Sequence, residues 1–235
     1  MTIAILMASG LGVRMHPLTE KTPKPLIKVG NKPMIESIID ALEERRIDNI
    51  YVVVGYLAEQ FNYLTNKYKN LYLVYNPDFK SVNNISSIYY AKEYLEKDDC
   101  YICESDLYLS DSRILKQELN DSCYYGKMVK GYSDDWLFEL NDSGYIKRVG
   151  KIGSDKYNMV GISYFTQKDA TILAKAIDKA YGQPGYESMF WDDVVNMNLD
   201  KLKLKIFPVY DKQIIEIDTV EELNKVNQEV NNGSR

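Results

Sequence analysis

The chain has 235 residues, 45% of them hydrophobic and 27% charged, so wholesale disorder is excluded and there is length for a sizeable core. Lys and Arg total 29 against 34 Asp and Glu, a formal net charge of −5, which argues against a protein that coats nucleic acid or an anionic membrane. A single histidine, His16, rules against a His-rich zinc site, and three cysteines without a leader segment predict a reducing, cytoplasmic setting.

In chain order, Ile3–Met7 is an apolar run closed by a glycine turn and reads as a buried strand. Met34–Leu42 places Met34, Ile38, Ile39 and Leu42 at helical spacing. Strands are expected at Ile50–Val54, Leu71–Tyr75 and Cys100–Cys103, with helices at Ala58–Tyr68 and Ser86–Leu95 between them. This alternation predicts right-handed βαβ units, hence a parallel sheet with helices on both faces. After about Ser122 the pattern changes. Cys123–Val129, Trp136–Leu140, Tyr145–Val149 and Val160–Phe165 read as separate strands divided by Asp-, Ser- and Gly-bearing turns. Helices are expected at Lys168–Ala180 and Tyr186–Asn196, and late strands at Lys203–Phe207, closed by Pro208, and Ile214–Ile217. A terminal helix at Thr219–Val230 has Thr219 as its N-cap, and 231–235 reads as a tail. No linker or internal repeat divides the chain, so residues 1–230 are expected to form one domain. No apolar run is long enough to span a membrane.

The loop after the first strand reads Ala8-Ser9-Gly10-Leu11-Gly12-Val13-Arg14. Its glycines allow a tight turn whose amides approach a phosphate. It lacks the Gly-Lys-Ser/Thr ending of a Walker A loop and the third glycine of the dinucleotide fingerprint. Downstream, Thr22-Pro23-Lys24-Pro25-Leu26 sets a lysine between two prolines, which stiffen the backbone around it. Residues 1–35 hold Arg14, Lys21, Lys24, Lys28 and Lys32 against Glu20 alone, a local net charge of +4 on an acidic protein. That combination predicts a polyphosphate site. Two aspartates, Asp106 and Asp218, follow expected strands and would face the loop from the same sheet edge, where their hard oxygens suit magnesium. The Cys100–Cys103 pair lies in a buried strand, where residues three apart face opposite sides, so no redox or zinc role is expected. His16 reads as a surface or packing residue.

The glycine loop with Pro17-Leu18-Thr19 and Thr22-Pro23-Lys24-Pro25-Leu26 resembles the signature of the sugar-phosphate nucleotidyltransferase superfamily. The resemblance runs from about Ile3 to Leu223 and is loosest between Ser110 and Lys156. It implies a Rossmann-like three-layer α/β/α fold with a mixed, mostly parallel sheet and a small β-rich acceptor-binding region. In these terms 1–121 is the nucleotide-binding half, 122–217 the acceptor-binding portion and 218–230 the terminal helix. The resemblance implies catalytic roles for Arg14 and Lys24, which would neutralise phosphate charge, and Mg2+ held by Asp106 and Asp218. It implies nucleotide binding by Leu6, Ala8, Ser9, Gly10, Gly12, Gly55, Tyr56, Asn84, Ser86 and Ser87.

Among the branches, Asn83-Asn84-Ile85-Ser86-Ser87, Phe190-Trp191-Asp192-Asp193 and Glu216-Ile217-Asp218 resemble the bacterial phosphocholine cytidylyltransferases. The expected partners are therefore CTP and a small phosphorylated amino-alcohol, with phosphocholine first and 2-aminoethylphosphonate or a sugar 1-phosphate as alternatives. A non-catalytic nucleotide-binding regulator is the more distant alternative. A quaternary ammonium is held best by aromatic faces beside a carboxylate, which nominates Trp136, Phe190 and Asp192 for the acceptor. On a helix Phe190 and Trp191 would diverge by about 100°, so that one of them faces the core. Lys151 is expected either to bind the acceptor's phosphate or to be an exposed turn residue. Two departures bear on the acceptor. Glu104-Ser105-Asp106 resembles the metal segment of 2-aminoethylphosphonate cytidylyltransferases, and Phe190 stands where the phosphocholine branch is expected to carry tyrosine. Oligomeric state is left open.

Overall fold

The computed structural model describes residues 1–233. Its strands are β1 (Thr2–Ala8), β2 (Lys28–Val29), β3 (Lys32–Pro33), β4 (Asn49–Val54), β5 (Leu71–Tyr75), β6 (Asp99–Glu104), β7 (Leu107–Leu109), β8 (Cys123–Leu140), β9 (Ile146–Phe165), β10 (Lys205–Val209) and β11 (Ile214–Glu216). Its helices are α1 (Met34–Arg45), α2 (Asn62–Lys67), α3 (Ile85–Leu95), α4 (Gln167–Ala180), α5 (Trp191–Asn196) and α6 (Val220–Gly233). Seven strands form the central sheet in the order β10-β8-β9-β6-β1-β4-β5. β1 pairs in parallel with both β4 and β6, and β4 with β5, whereas β9 runs antiparallel to β6 and β8. The α/β fold with a mixed, mostly parallel sheet is thus the one expected.

Alternation along β1 explains why both faces are covered. Ala4, Leu6 and Ala8 join one apolar cluster with Ile35, Ile38, Leu42 and Leu64 of α1 and α2. Ile3 and Ile5 join the other with Ile88, Leu173 and Val194 of α3, α4 and α5. A strand buried on both faces needs the near-continuous apolar run that Ile3–Met7 supplies. The same alternation sends Cys100 to one cluster and Cys103 to the other, and burial raises both thiols.

Four expectations change. The strands expected separately between 123 and 165 are two long ones, β8 and β9. The residues between Leu140 and Tyr145 make the expected turn, whereas the Gly, Ser and Asp residues at 131–135 make register shifts, between Val129 and Tyr132 and between Ser133 and Trp136. Gly131, at φ 78°, donates its amide to Asp155 Oδ1 (3.0 Å) there. The helix expected at 58–68 is a 3-10 turn at Ala58–Phe61 followed by the short α2, and Leu57 before it is left-handed at φ 47°. Pro208 lies inside β10, which is tolerable because β10 is an edge strand. The helix expected at 186–196 starts at Trp191, since Phe190 is extended and donates its amide to Asp193 Oδ2 (2.8 Å). α6 begins as expected, with Thr219 Oγ1 accepting from the Glu222 amide (3.2 Å) and Glu222 Oε2 accepting from the Thr219 amide (2.9 Å), a capping box. It runs through Gly233, and the rest of the expected tail, 234–235, lies outside the described residues.

Candidate active site

β1 ends between the ends of its two parallel neighbours, the place where open α/β sheets bind ligands. A cavity of about 640 Å³ opens there, walled by Ser9, Gly10 and Arg14 of the glycine loop, the segment into α3, Glu104 and Asp106 after β6, and Glu216 and Asp218 around β11. A second cavity of about 270 Å³ shares Gly10, Arg14 and Asp106 with it and adds Ala8, Gly12 and Lys24. Together they make one crevice with the basic segment on one side and carboxylates on the other.

The two loop glycines differ in kind. Gly12 has φ 64°, and a Cβ there would lie 2.9 Å from Lys24 Cβ and 3.0 Å from Thr19 Cγ2. Thr19 Oγ1 donates to the Gly12 carbonyl (2.8 Å), so loop and basic segment are locked together. Gly10 has no atom within 4 Å of such a Cβ and faces open crevice. Tyr56 adds a further tie: its amide donates to Ser9 O (3.1 Å) and its phenol reaches the carbonyls of Thr19 (3.0 Å) and Glu20 (3.1 Å).

Lys24 opens a 3-10 turn, and its side chain is only 9% exposed. Its Nζ donates to Asp106 Oδ2 (2.7 Å) and Asp218 Oδ1 (2.5 Å), and Arg14 donates to Asp218 Oδ2 (2.6 Å). Burial opposes the Lys24 charge, but the two carboxylates outweigh it and hold the pKa above the ordinary lysine value. Burial likewise works against the Asp218 carboxylate, and Lys24 and Arg14 overcome it and draw its pKa down. Asp106, Glu216 and Asp218 each present a carboxylate oxygen within 4.8 Å of the others. Asp106 Oδ1 is buried and accepts no hydrogen bond among the described residues. Burial, with Asp106 and Asp218 adjacent, pushes Glu216 up to about 8. An unmatched hard oxygen inside a three-carboxylate cluster fits a magnesium-type ion.

On the α3 side, Asn76 donates to Ser86 Oγ (2.9 Å) and Ser9 Oγ (3.3 Å), and the Ser9 and Ser87 hydroxyls lie 2.9 Å apart. Ser9, Ser86, Ser87 and Asn84 line the larger cavity, with Phe79 and Asn83 beside them. Leu6, Gly55 and Tyr56 line neither cavity. Leu6 is core, and a Cβ on Gly55 would meet the Phe79 ring at 2.7 Å, so Gly55 lets Phe79 close against the loop.

On the far side, Trp136 and Phe190 meet edge to face, with centroids 5.3 Å apart. Lys151 faces Trp136 across the β8–β9 pair and holds its Nζ 5.4 Å and 5.8 Å from the Trp136 and Phe190 rings. Phe190 lines the cavity, whereas Trp191 is buried against Tyr124 and Phe165. Asp192 is 2% exposed, accepts from the Tyr124 phenol (2.9 Å) and lies behind the wall, not in it. His16 is exposed and lines neither cavity.

Asn76 and Phe79 were not singled out from sequence, and Glu104, Glu216 and Asn83 appeared there only within quoted motifs, with no role of their own. For the two acids a signal existed: each precedes an aspartate by two residues, the spacing that puts side chains on one face of a strand.

The nucleotidyl transferase family profile matches residues 3–130. A 2-aminoethylphosphonate cytidylyltransferase from Lancefieldella rimae is 51% identical over 222 residues, covering 94% of this chain and 90% of that protein. A choline-phosphate cytidylyltransferase from Streptococcus pneumoniae is 32% identical, covering 97% of this chain and 98% of that one. The solved structure of a CTP:phosphocholine cytidylyltransferase from Streptococcus pneumoniae superposes with a TM-score of 0.88 at 33% identity, over 97% of this chain and 99% of that chain. With a glycine loop, a buried lysine and a carboxylate cluster at the sheet edge of a matching fold, this chain belongs to the nucleotidyl transferase family.

Proposed function

We propose that the chain is a cytidylyltransferase that joins CMP from CTP to 2-aminoethylphosphonate and releases pyrophosphate. The observation that carries the acceptor is the 51% identity to an enzyme of that name across nearly the full length, against 32% for the phosphocholine enzyme. The sequence motifs alone favoured phosphocholine, and the relatives move the proposal to the alternative.

In the proposed reaction an acceptor phosphonate oxygen attacks the α-phosphorus in line, a P–O bond to the acceptor forms, and the bond to the pyrophosphate oxygen breaks. The acceptor is already anionic, so no side-chain nucleophile is required. Lys24, 9% exposed, and Arg14, 66% exposed, would offset the negative charge that gathers on the transferred and leaving phosphates, with Lys24 the better shielded from water. The open backbone at Gly10 lets a phosphate approach the loop amides. Ser87, Asn83 and Asn84, which line the same cavity as the Phe79 ring, would offer hydroxyl and amide groups to a pyrimidine edge. Asp106, Glu216 and Asp218 would hold a magnesium ion, which when bound supplies further neutralisation of phosphate charge.

One observation favours phosphocholine as a second reading: the Trp136–Phe190 corner has the aromatic faces a quaternary ammonium needs. A pyrophosphate-release screen of CTP and UTP against 2-aminoethylphosphonate, phosphocholine and a sugar 1-phosphate tests the assignment. Turnover confined to CTP with 2-aminoethylphosphonate is expected; equal or better turnover with another acceptor overturns it.

A further inference from the structure

The aromatic corner is already filled by the protein's own cation. The Lys151 ammonium lies within cation–π range of both Trp136 and Phe190 and makes no ion pair or side-chain hydrogen bond among the described residues. Its place is set by the fold: Lys151 is the cross-strand partner of Trp136, and its carbonyl accepts from Arg148 (2.9 Å). Asp134 and Asp135, two and one positions before Trp136 on the same strand, line the same cavity, and their carboxylates take no hydrogen bond or ion pair among the described residues. Lys151 thus sits on the rings while two free carboxylates stand beside it.

We propose that Lys151 is a specificity-determining residue that closes the aromatic corner to quaternary ammonium acceptors and leaves the primary ammonium of an acceptor to Asp134 and Asp135. The proposal rests on the cytidylyltransferase reading. The two kinds of acceptor cation need different things. A trimethylammonium has no hydrogen to donate and depends on aromatic faces, so in this corner it competes with a like charge for the same two rings. A primary ammonium has three donors and binds carboxylates without the corner. Lys151 occupies the rings that the first needs and the second does not, so it penalises the first more, which is discrimination by an obstacle to the wrong ligand.

The test compares kcat/KM for 2-aminoethylphosphonate, its N,N,N-trimethyl derivative and phosphocholine in the wild type, Lys151→Met and Lys151→Gln, with CTP saturating. The preference for the primary over the quaternary phosphonate should narrow by about five- to tenfold in both variants, the effect of freeing two exposed cation–π faces. The change should lie mainly in KM for the quaternary acceptor, with KM for CTP unmoved. An equal fall for all three acceptors makes Lys151 a grip on the phosphorus oxygens and overturns the proposal, as does an unchanged ratio. Quenching of tryptophan fluorescence by phosphocholine alone reads the same corner without turnover. Tighter quenching in Lys151→Met than in the wild type supports the obstacle, and equal quenching overturns it. If no acceptor releases pyrophosphate in the wild type, the cytidylyltransferase reading fails, and the fluorescence titration still decides the role of Lys151.

Discussion

The Nζ of Lys24 donates to Oδ2 of Asp106 across 2.7 Å, and its other partner is Asp218, so one buried ammonium pairs with two of the three clustered carboxylates. Lys24→Met keeps most of the stem and removes the charge. Turnover should fall on the order of 10²–10³-fold, the effect of losing one charge-stabilising donor in a dry site. The uncompensated carboxylates should also lower the melting temperature in chelator, and millimolar Mg²⁺ should restore it. Melting curves of variant and wild type, with and without the ion, check this; equal melting temperatures in chelator would show that the pair is not a source of stability.

Asp106→Asn removes one negative charge from the cluster but retains its shape. Pyrophosphate release should fall by at least about 100-fold and need more Mg²⁺ for half-activation. Treating the wild type with a chelator should abolish turnover, and added Mg²⁺ should recover it. A magnesium titration of both proteins is the measurement.

The two loop glycines should separate stability from binding. Gly12→Ala forces a side chain into the left-handed region against Lys24 and Thr19, at a cost of about 1–2 kcal/mol for the backbone alone. Its unfolding midpoint in urea should drop and its activity with it. Gly10→Ala meets nothing in the protein, so its stability should stay within about 0.5 kcal/mol of the wild type, and its defect should be a raised KM for CTP.

Asp192 gives a pH signature. Burial pushes its carboxyl up to about 7, with Asp193 adding to the rise and the Tyr124 hydrogen bond working against it. An unfolded chain has an Asp near 3.9, so between these values the unfolded state releases a proton that the folded state keeps. The contribution of Asp192 is therefore greatest below about pH 4 and is lost as pH rises to about 7. Asp192→Asn retains an acceptor for the Tyr124 phenol. Relative to wild type it should gain on the order of 3 kcal/mol between pH 4 and pH 8. Urea unfolding at the two pH values checks the direction.

Much of the basic side of the crevice was legible because it is local. Gly10, Gly12, Arg14 and Lys24 lie within one stretch of chain, and Asp106 follows a strand that periodicity marks plainly. The aromatic side depends on contacts that spacing does not report. Whether Phe190 or Trp191 lines the cavity turned on one extended residue at a helix start, and no hydrophobic pattern distinguishes an N-cap from a first turn. Asp192 looked like a binding carboxylate because it adjoins Phe190, yet its partner is a tyrosine 68 positions away. The turn-like residues between Gly131 and Asp135 were misleading for a related reason: bulges and turns draw on the same residue types. Tyr56 resembled a base-pocket residue by position and is a brace between loop and basic segment.

The two-stranded sheet of β7 and β11 pairs Leu107 with Glu216, which brings the two ends of the carboxylate cluster together from distant parts of the chain. As a polypeptide emerges from a ribosome, the glycine loop, Lys24 and Asp106 are all present long before β11. Until that short strand docks, two of the three acids are missing and Lys24 lacks one of its two counter-charges. Completion of the carboxylate cluster therefore waits on a segment made late in synthesis, and a chain that lacks β11 holds Lys24 against Asp106 alone.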